Sequence, residues 1–176
     1  PLVTATVETR RAQMEAYRLG ALSVNPDIEV TLTYLGTFDD VEMGKETGRA
    51  MISSGVDVVY HIADAAGIGV MQAAREEGVY AIGWGADQYE VAPDTVITSQ
   101  IVDQRELIVE AVGSVVDGTF TGQQRFFGLD TAVLGLAPIR VLDAAKIAEI
   151  EAKVQEISAQ ILSGALVVPF IPEPQS

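Results

Sequence analysis

Residues 56–85, VDVVYHIADAAGIGVMQAAREEGVYAIGWG, decide the fold. An apolar run, Val58 to Ile62, passes through a small-residue turn into a helical stretch that Gly78 closes, and a second apolar run follows at once. Glycine past the last periodic residue is the ordinary stop of a helix, because it enters the left-handed region without steric cost. Strand, helix and strand in this order, with no room for a hairpin, predict adjacent parallel strands joined by a crossover helix.

The alternation continues on both sides. Upstream, TRRAQMEAYRLGALSVN carries Met14, Tyr17 and Ala21 at helical spacing and stops at Asn25-Pro26. IEVTLTYL, Ile28 to Leu35, reads as a strand, and Asp39 or Asp40 caps a helix running to Ser54. Downstream, TVITSQI is a short strand, VDQRELIVEAVGSVVDG a helix ended by Gly118, and Phe126 to Leu136 a strand region. A last helix spans Leu142 to Leu162, where Ile147, Ile150, Val154, Ile157 and Ile161 form one stripe suited to packing. The expected fold class is α/β, a mostly parallel sheet with helices on both faces.

Composition bounds the function. At 176 residues and 48% hydrophobic, the chain can bury a sizeable core. A formal charge of −14 with 11 Lys and Arg argues against nucleic acid and anionic membrane surfaces, which select basic patches. The absence of cysteine excludes thiol nucleophiles, disulfides and thiolate metal sites. The chain opens on Pro1 with neither a start methionine nor a signal peptide, the expectation for a processed or excised segment.

Signals for chemistry are sparse. Gly67 and Gly69 are followed by Gln72, so the G-x-G-x-x-G dinucleotide spacing is broken. No Walker pattern and no G-x-S-x-G elbow occurs. His61 is the single histidine, and with one acid nearby it assembles a zinc site only where other carboxylates converge, which nothing in the spacing predicts. No enzyme, no cofactor and no metal is expected. The aromatic residues say more: on neighbouring parallel strands, Tyr60 and Trp84 stand at carboxyl ends, beside the crevice where such sheets bind ligands. Two aromatic faces there suit a flat heterocycle. Small residues Ala63, Ala65, Ala66 and Gly67 let backbone N–H groups approach it, and Thr98, Ser99 and Gln100 offer hydrogen bonds from the next strand end.

SVNPDIEVTLTYLGTFDDVEMGKETG, GVDVVYHIADAAGIGVMQAAREEGVYAIGWGADQ, VITSQI and LSGALVVP together resemble, in order, the basic membrane protein family of bacterial ABC-transporter solute-binding proteins. That resemblance implies a type I periplasmic-binding-protein fold, of which residues 1–169 correspond to the second lobe and hinge-crossing segments, with 170–176 a Pro-rich tail. The first lobe has no counterpart, so the sequence is expected to be a portion of a longer protein or to borrow the missing wall from a partner chain. The family's best-understood members bind purine nucleosides.

Residue by residue, Tyr60 takes the place of a phenylalanine that stacks on the purine, and Ala66 that of a backbone contact in the small-residue turn. Gly85 replaces an aspartate that holds the ribose hydroxyls, and Val102 a lysine. Losing both polar groups favours a nucleobase or other sugar-poor ligand, stacked by Tyr60 and by Trp84 beside the lost carboxylate at Gly85. The resemblance further implies an ABC permease as partner and a lipoprotein-anchored, periplasmic or extracellular parent. The same fold also serves as an effector-sensing domain of regulatory proteins, the alternative expectation. A chain without its first lobe exposes apolar surface, above all on the Asp103 to Asp117 helix, and self-association is expected.

Overall fold

In the computed structural model, residues 2–4, 8–123, 125 and 127–169 are described. The elements in chain order are β1 (Leu2–Thr4), α1 (Glu8–Val24), β2 (Leu32–Tyr34), α2 (Val41–Ser53), β3 (Val58–Ile62), α3 (Asp64–Glu77), β4 (Tyr80–Gly85), β5 (Val96–Val102), α4 (Gln104–Val116), β6 (Leu134–Leu136) and α5 (Ala144–Leu162). They build one sheet in the order β2-β1-β3-β4-β5-β6. Every neighbouring pair is parallel except β5 with β6. The fold is therefore α/β with a mostly parallel sheet, as the alternation predicts.

The two-residue period of β3 divides the core. Val59 joins Ala63, Ala66, Val70, Met71 and Ala74 of the following turn and helix in one buried cluster with Met51 of α2. Tyr60 and Ile62 point to the opposite face and bury against Met14 of α1, with Tyr17, Ile82 and Trp84 packed around them. Helices α2 and α3 thus cover one face and α1 the other.

Local chemistry fixes the helix ends. Asp40 accepts the Met43 N–H at 2.9 Å, Asp103 accepts those of Arg105 and Glu106, and Asp143 that of Lys146, each meeting an orphan donor of a first turn. Gly78 ends α3 at φ 72°. The glycines of GKETG and AGIGV bring α2 and α3 into contact: a Cβ on Gly44 would lie 2.0 Å from the Ala66 carbonyl oxygen, and one on Gly69 2.0 Å from that of Val41. Much of the small-residue run is therefore a helix–helix seam.

Three boundaries differ from expectation. Leu2–Thr4 is a strand between β2 and β3, where no strand is expected from the sequence. The strand expected over 28–35 is confined to Leu32–Tyr34, an edge with Leu32 and Tyr34 exposed. The strand region expected over 126–136 is reduced to Leu134–Leu136, and Leu129 and Asp130 form a turn. Phe126 and the tail 170–176 lie outside the described residues. The α5 stripe is half-buried, and neither α4 nor α5 contains a fully buried residue. No helix among the described residues is long and apolar enough to cross a membrane.

Candidate functional site

The carboxyl ends of β3, β4 and β5 open onto a crevice of about 700 Å³. Its walls are the first turn of α3 (Asp64, Ala65, Ile68), the end of β4 and its loop (Trp84 to Gln88), and the passage from β5 into α4 (Ile101 to Gln104). Parallel strands place their outgoing loops on this one edge, which is why open α/β sheets bind ligands there. Gly85 sits at φ 88°, a conformation that side-chain-bearing residues adopt at a cost, and the space where its Cβ would stand is empty.

Of the residues singled out from the sequence, Ala65, Trp84 and Gly85 line this crevice, and Tyr60, Ala66, Gly67 and Ser99 lie behind it. Tyr60 is 4% exposed; its ring stacks on Tyr17 with centroids 5.0 Å apart, and its hydroxyl bonds the Gln100 side-chain oxygen. Burial raises the Tyr60 hydroxyl above the ordinary tyrosine range. The Ala66 N–H is given to the Phe38 carbonyl at 3.0 Å. Gly67 lies under the His61 ring, where a Cβ would stand 1.9 Å from Nδ1. Ser99 is fully buried and its Oγ accepts the Gln88 N–H at 3.1 Å. Thr98, also expected at the strand end, donates its hydroxyl to the Ala137 carbonyl.

These residues belong to one buried network that shapes the loop after β4. Gln88 Oε1 accepts the Trp84 N–H at 2.8 Å and lies 2.8 Å from His61 Nε2. His61 Nδ1 accepts the Ala63 N–H at 3.4 Å, so the ring proton resides on Nε2 and is donated to Gln88. Burial pushes the imidazole down to about 4, against the opposing effects of the Gln88 bond and the Asp64 charge. His61 is a neutral, doubly engaged strut.

The carboxylates at the crevice are engaged as well. Asp64 pairs with Arg10 at 3.3 Å, Asp87 takes a two-point contact from Arg140 at 3.1 and 2.9 Å, and Asp103 caps α4 while meeting Arg105 at 3.6 Å. The Arg140 hydrogen bond holds the Asp87 carboxyl below the usual range. Among the described residues no group of three or more His, Cys, Asp or Glu is arranged to hold a metal ion.

Arg10 is the residue that sequence reasoning missed. Its guanidinium carbon lies 4.5 Å from the Trp84 ring centroid and 4.9 Å from that of Phe38, while Nη1 donates to the Ile62 carbonyl at 3.0 Å. One signal was available: a cation in the first turn of a helix opposes the macrodipole, so it needs a partner elsewhere.

Known proteins resemble this chain in sequence and in fold. The family model described as ABC transporter substrate-binding protein PnrA-like matches residues 4–165. Basic membrane protein A2 of Borrelia garinii subsp. bavariensis is 33% identical over 88% of this chain and 46% of its own length. A purine-binding protein of Brucella abortus is 29% identical over 87% of this chain and 42% of its own length. Among solved structures, a transcriptional activator of the comK gene from Bacillus halodurans superposes with a TM-score of 0.81 at 19% identity, over 94% of this chain and 56% of that one. The chain spans about half the length of the curated relatives it matches.

Proposed function

Because this chain belongs to the Bmp family of PnrA-like ABC transporter substrate-binding proteins, we propose that it forms one wall of an interlobe cleft that captures a nucleobase- or nucleoside-like solute without transforming it. The carrying observation is the crevice at the carboxyl ends of β3 to β5, where Trp84, with Arg10 over its ring, lines the wall and Gly85 leaves open space beside it. In this reading Trp84 and Gly85 touch the ligand. Tyr60, Ala66, Gly67 and Ser99 set the shape of the wall from behind, through the Tyr17, Phe38, His61 and Gln88 contacts.

The second wall belongs to the half of the parent that this chain does not span, in cis or on a partner chain. Closure of the two walls on the solute shifts the open and closed populations, and the closed form is what an ABC permease would receive. The parent acts outside the cytoplasm, anchored as a lipoprotein. Binding without chemistry accords with the crevice itself: its three carboxylates are all engaged by arginines, and its nearest imidazole is neutral and bonded on both nitrogens.

The name of the Brucella relative supports a purine, and the glycine at position 85 supports one with little or no sugar to grip. Thermal melting of the chain with adenine, hypoxanthine, adenosine or inosine tests this. A ligand at a hundredfold its Kd adds about 2.7 kcal/mol of stability, so the free bases should raise Tm more than their nucleosides do. A clear rise with the nucleosides and none with the bases would refute the sugar-poor site.

A further inference from the structure

We propose that Arg10 is the specificity-determining residue of this crevice, selecting a base with an oxo edge over one with an amino edge; this rests on the reading that the crevice takes a nucleobase. The guanidinium carbon lies over the rings of both Phe38 and Trp84, at 4.9 and 4.5 Å from their centroids, which holds the side chain in place. Its carbonyl bond to Ile62 and its contact with Asp64 use one N–H on each terminal nitrogen. Of the five N–H donors of an arginine, three make no hydrogen bond among the described residues, on a side chain still 19% exposed that touches two residues of the crevice wall, Trp84 and Asp64.

Those donors have a definite chemical complement. A guanidinium matches two adjacent acceptors, the pair that a 6-oxopurine shows at O6 and N7. Adenine offers one acceptor there and sets an amino donor against the other N–H. The surroundings point the same way. In a molecule of net charge −14, each of the crevice's three aspartates is matched by an arginine: Asp64 by Arg10, Asp87 by Arg140 and Asp103 by Arg105. No unengaged carboxylate is left to attract an amino or ammonium group, and the unspent hydrogen-bonding capacity at Arg10 is donor only.

Trp84 is the sole tryptophan of the chain, so its buried indole N–H gives a single resonance that reports on the crevice wall. The test follows that resonance by two-dimensional NMR while the 176-residue chain is titrated with hypoxanthine or adenine. Hypoxanthine should shift it saturably, with adenine about tenfold weaker. Arg10→Gln should weaken hypoxanthine about tenfold and leave adenine little changed. Arg10→Lys, which keeps the charge and loses the fork, should behave as Arg10→Gln does. Equal binding of both bases to the original chain, or full rescue of the preference by lysine, overturns the role of Arg10 while leaving base binding intact. No shift with either base at millimolar concentration overturns the base-binding reading and this proposal with it. Melting of each variant separates loss of specificity from loss of fold.

Discussion

His61 shows how one buried residue can be mistaken for a reactive one and why it is not. Its ring is wedged between Gly67 and Gln88 and excluded from water, so the charged form is disfavoured and the imidazole titrates near 4 instead of 6.5. The folded state therefore binds fewer protons than the unfolded chain between these two values. Stability from this group is complete above pH 6.5 and is lost as pH falls toward 4, by an amount on the order of 3 kcal/mol. Urea denaturation across that range should show a midpoint falling with acidity, and His61→Gln should flatten the slope between pH 6.5 and 4. A slope unchanged by the substitution would mean that other groups carry the acid sensitivity. Gly67 belongs to the same packing: a methyl there would overlap the His61 ring, so Gly67→Ala should cost about 1–3 kcal/mol or more in the same experiment.

At the scale of elements, the seam between α2 and α3 depends on missing side chains as much as on present ones. Gly44→Ala sets a methyl 2.0 Å from a backbone oxygen of Ala66, which cannot swing aside as a long side chain would, and should destabilise by about 1–3 kcal/mol. Gly20→Ala is the internal control. It lies at an exposed position of α1 with nothing near its would-be Cβ, and should stabilise by about 0.5–1 kcal/mol through helix propensity alone. Equal losses at both positions would show that the seam is not close-packed. Elements with their own period were legible: β3, α3 and β4 follow from one thirty-residue stretch because burial imposes the two-residue and 3.6-residue repeats on the residues themselves. The three-residue strand β1 was not, and β6 only as the end of a longer expected strand region, since so short a run carries no period and is held by its neighbours in the sheet. The site divides along the same line. The strand-end position of Trp84 could be read locally, and Gly85 came only through the resemblance. The covering of Tyr60 by Tyr17, and the meeting of Arg10 with Phe38 and Trp84, arise only when α1 lies down on the sheet.

For the whole molecule, the unbalanced feature is α4. Ile108, Val109, Val112, Val115 and Val116 are all more than half exposed, Val116 at 78%, and none of the helix's residues is buried. Apolar side chains this concentrated on one helix leave a patch that water disfavours, and burying such residues is worth roughly 1.5–3 kcal/mol each when burial is complete. The family relatives are about twice as long as the region matched, so in a full-length parent further chain is available to cover this helix. On its own, the chain has only a second copy of itself. The opposing force is the charge of −14, which repels like molecules over a Debye length of about 10 Å at 0.1 M salt and less at higher salt. Self-association should therefore strengthen as salt is raised, the reverse of an ion-pair interface. Sedimentation equilibrium at 0.05 and 0.5 M salt should show this trend for the original chain, and Val112→Glu with Val116→Glu should abolish it by placing carboxylates in the apolar face. A monomer at both salt concentrations would mean that α4 is stable while exposed; association that weakens with salt would assign the contact to the Arg and Asp pairs instead.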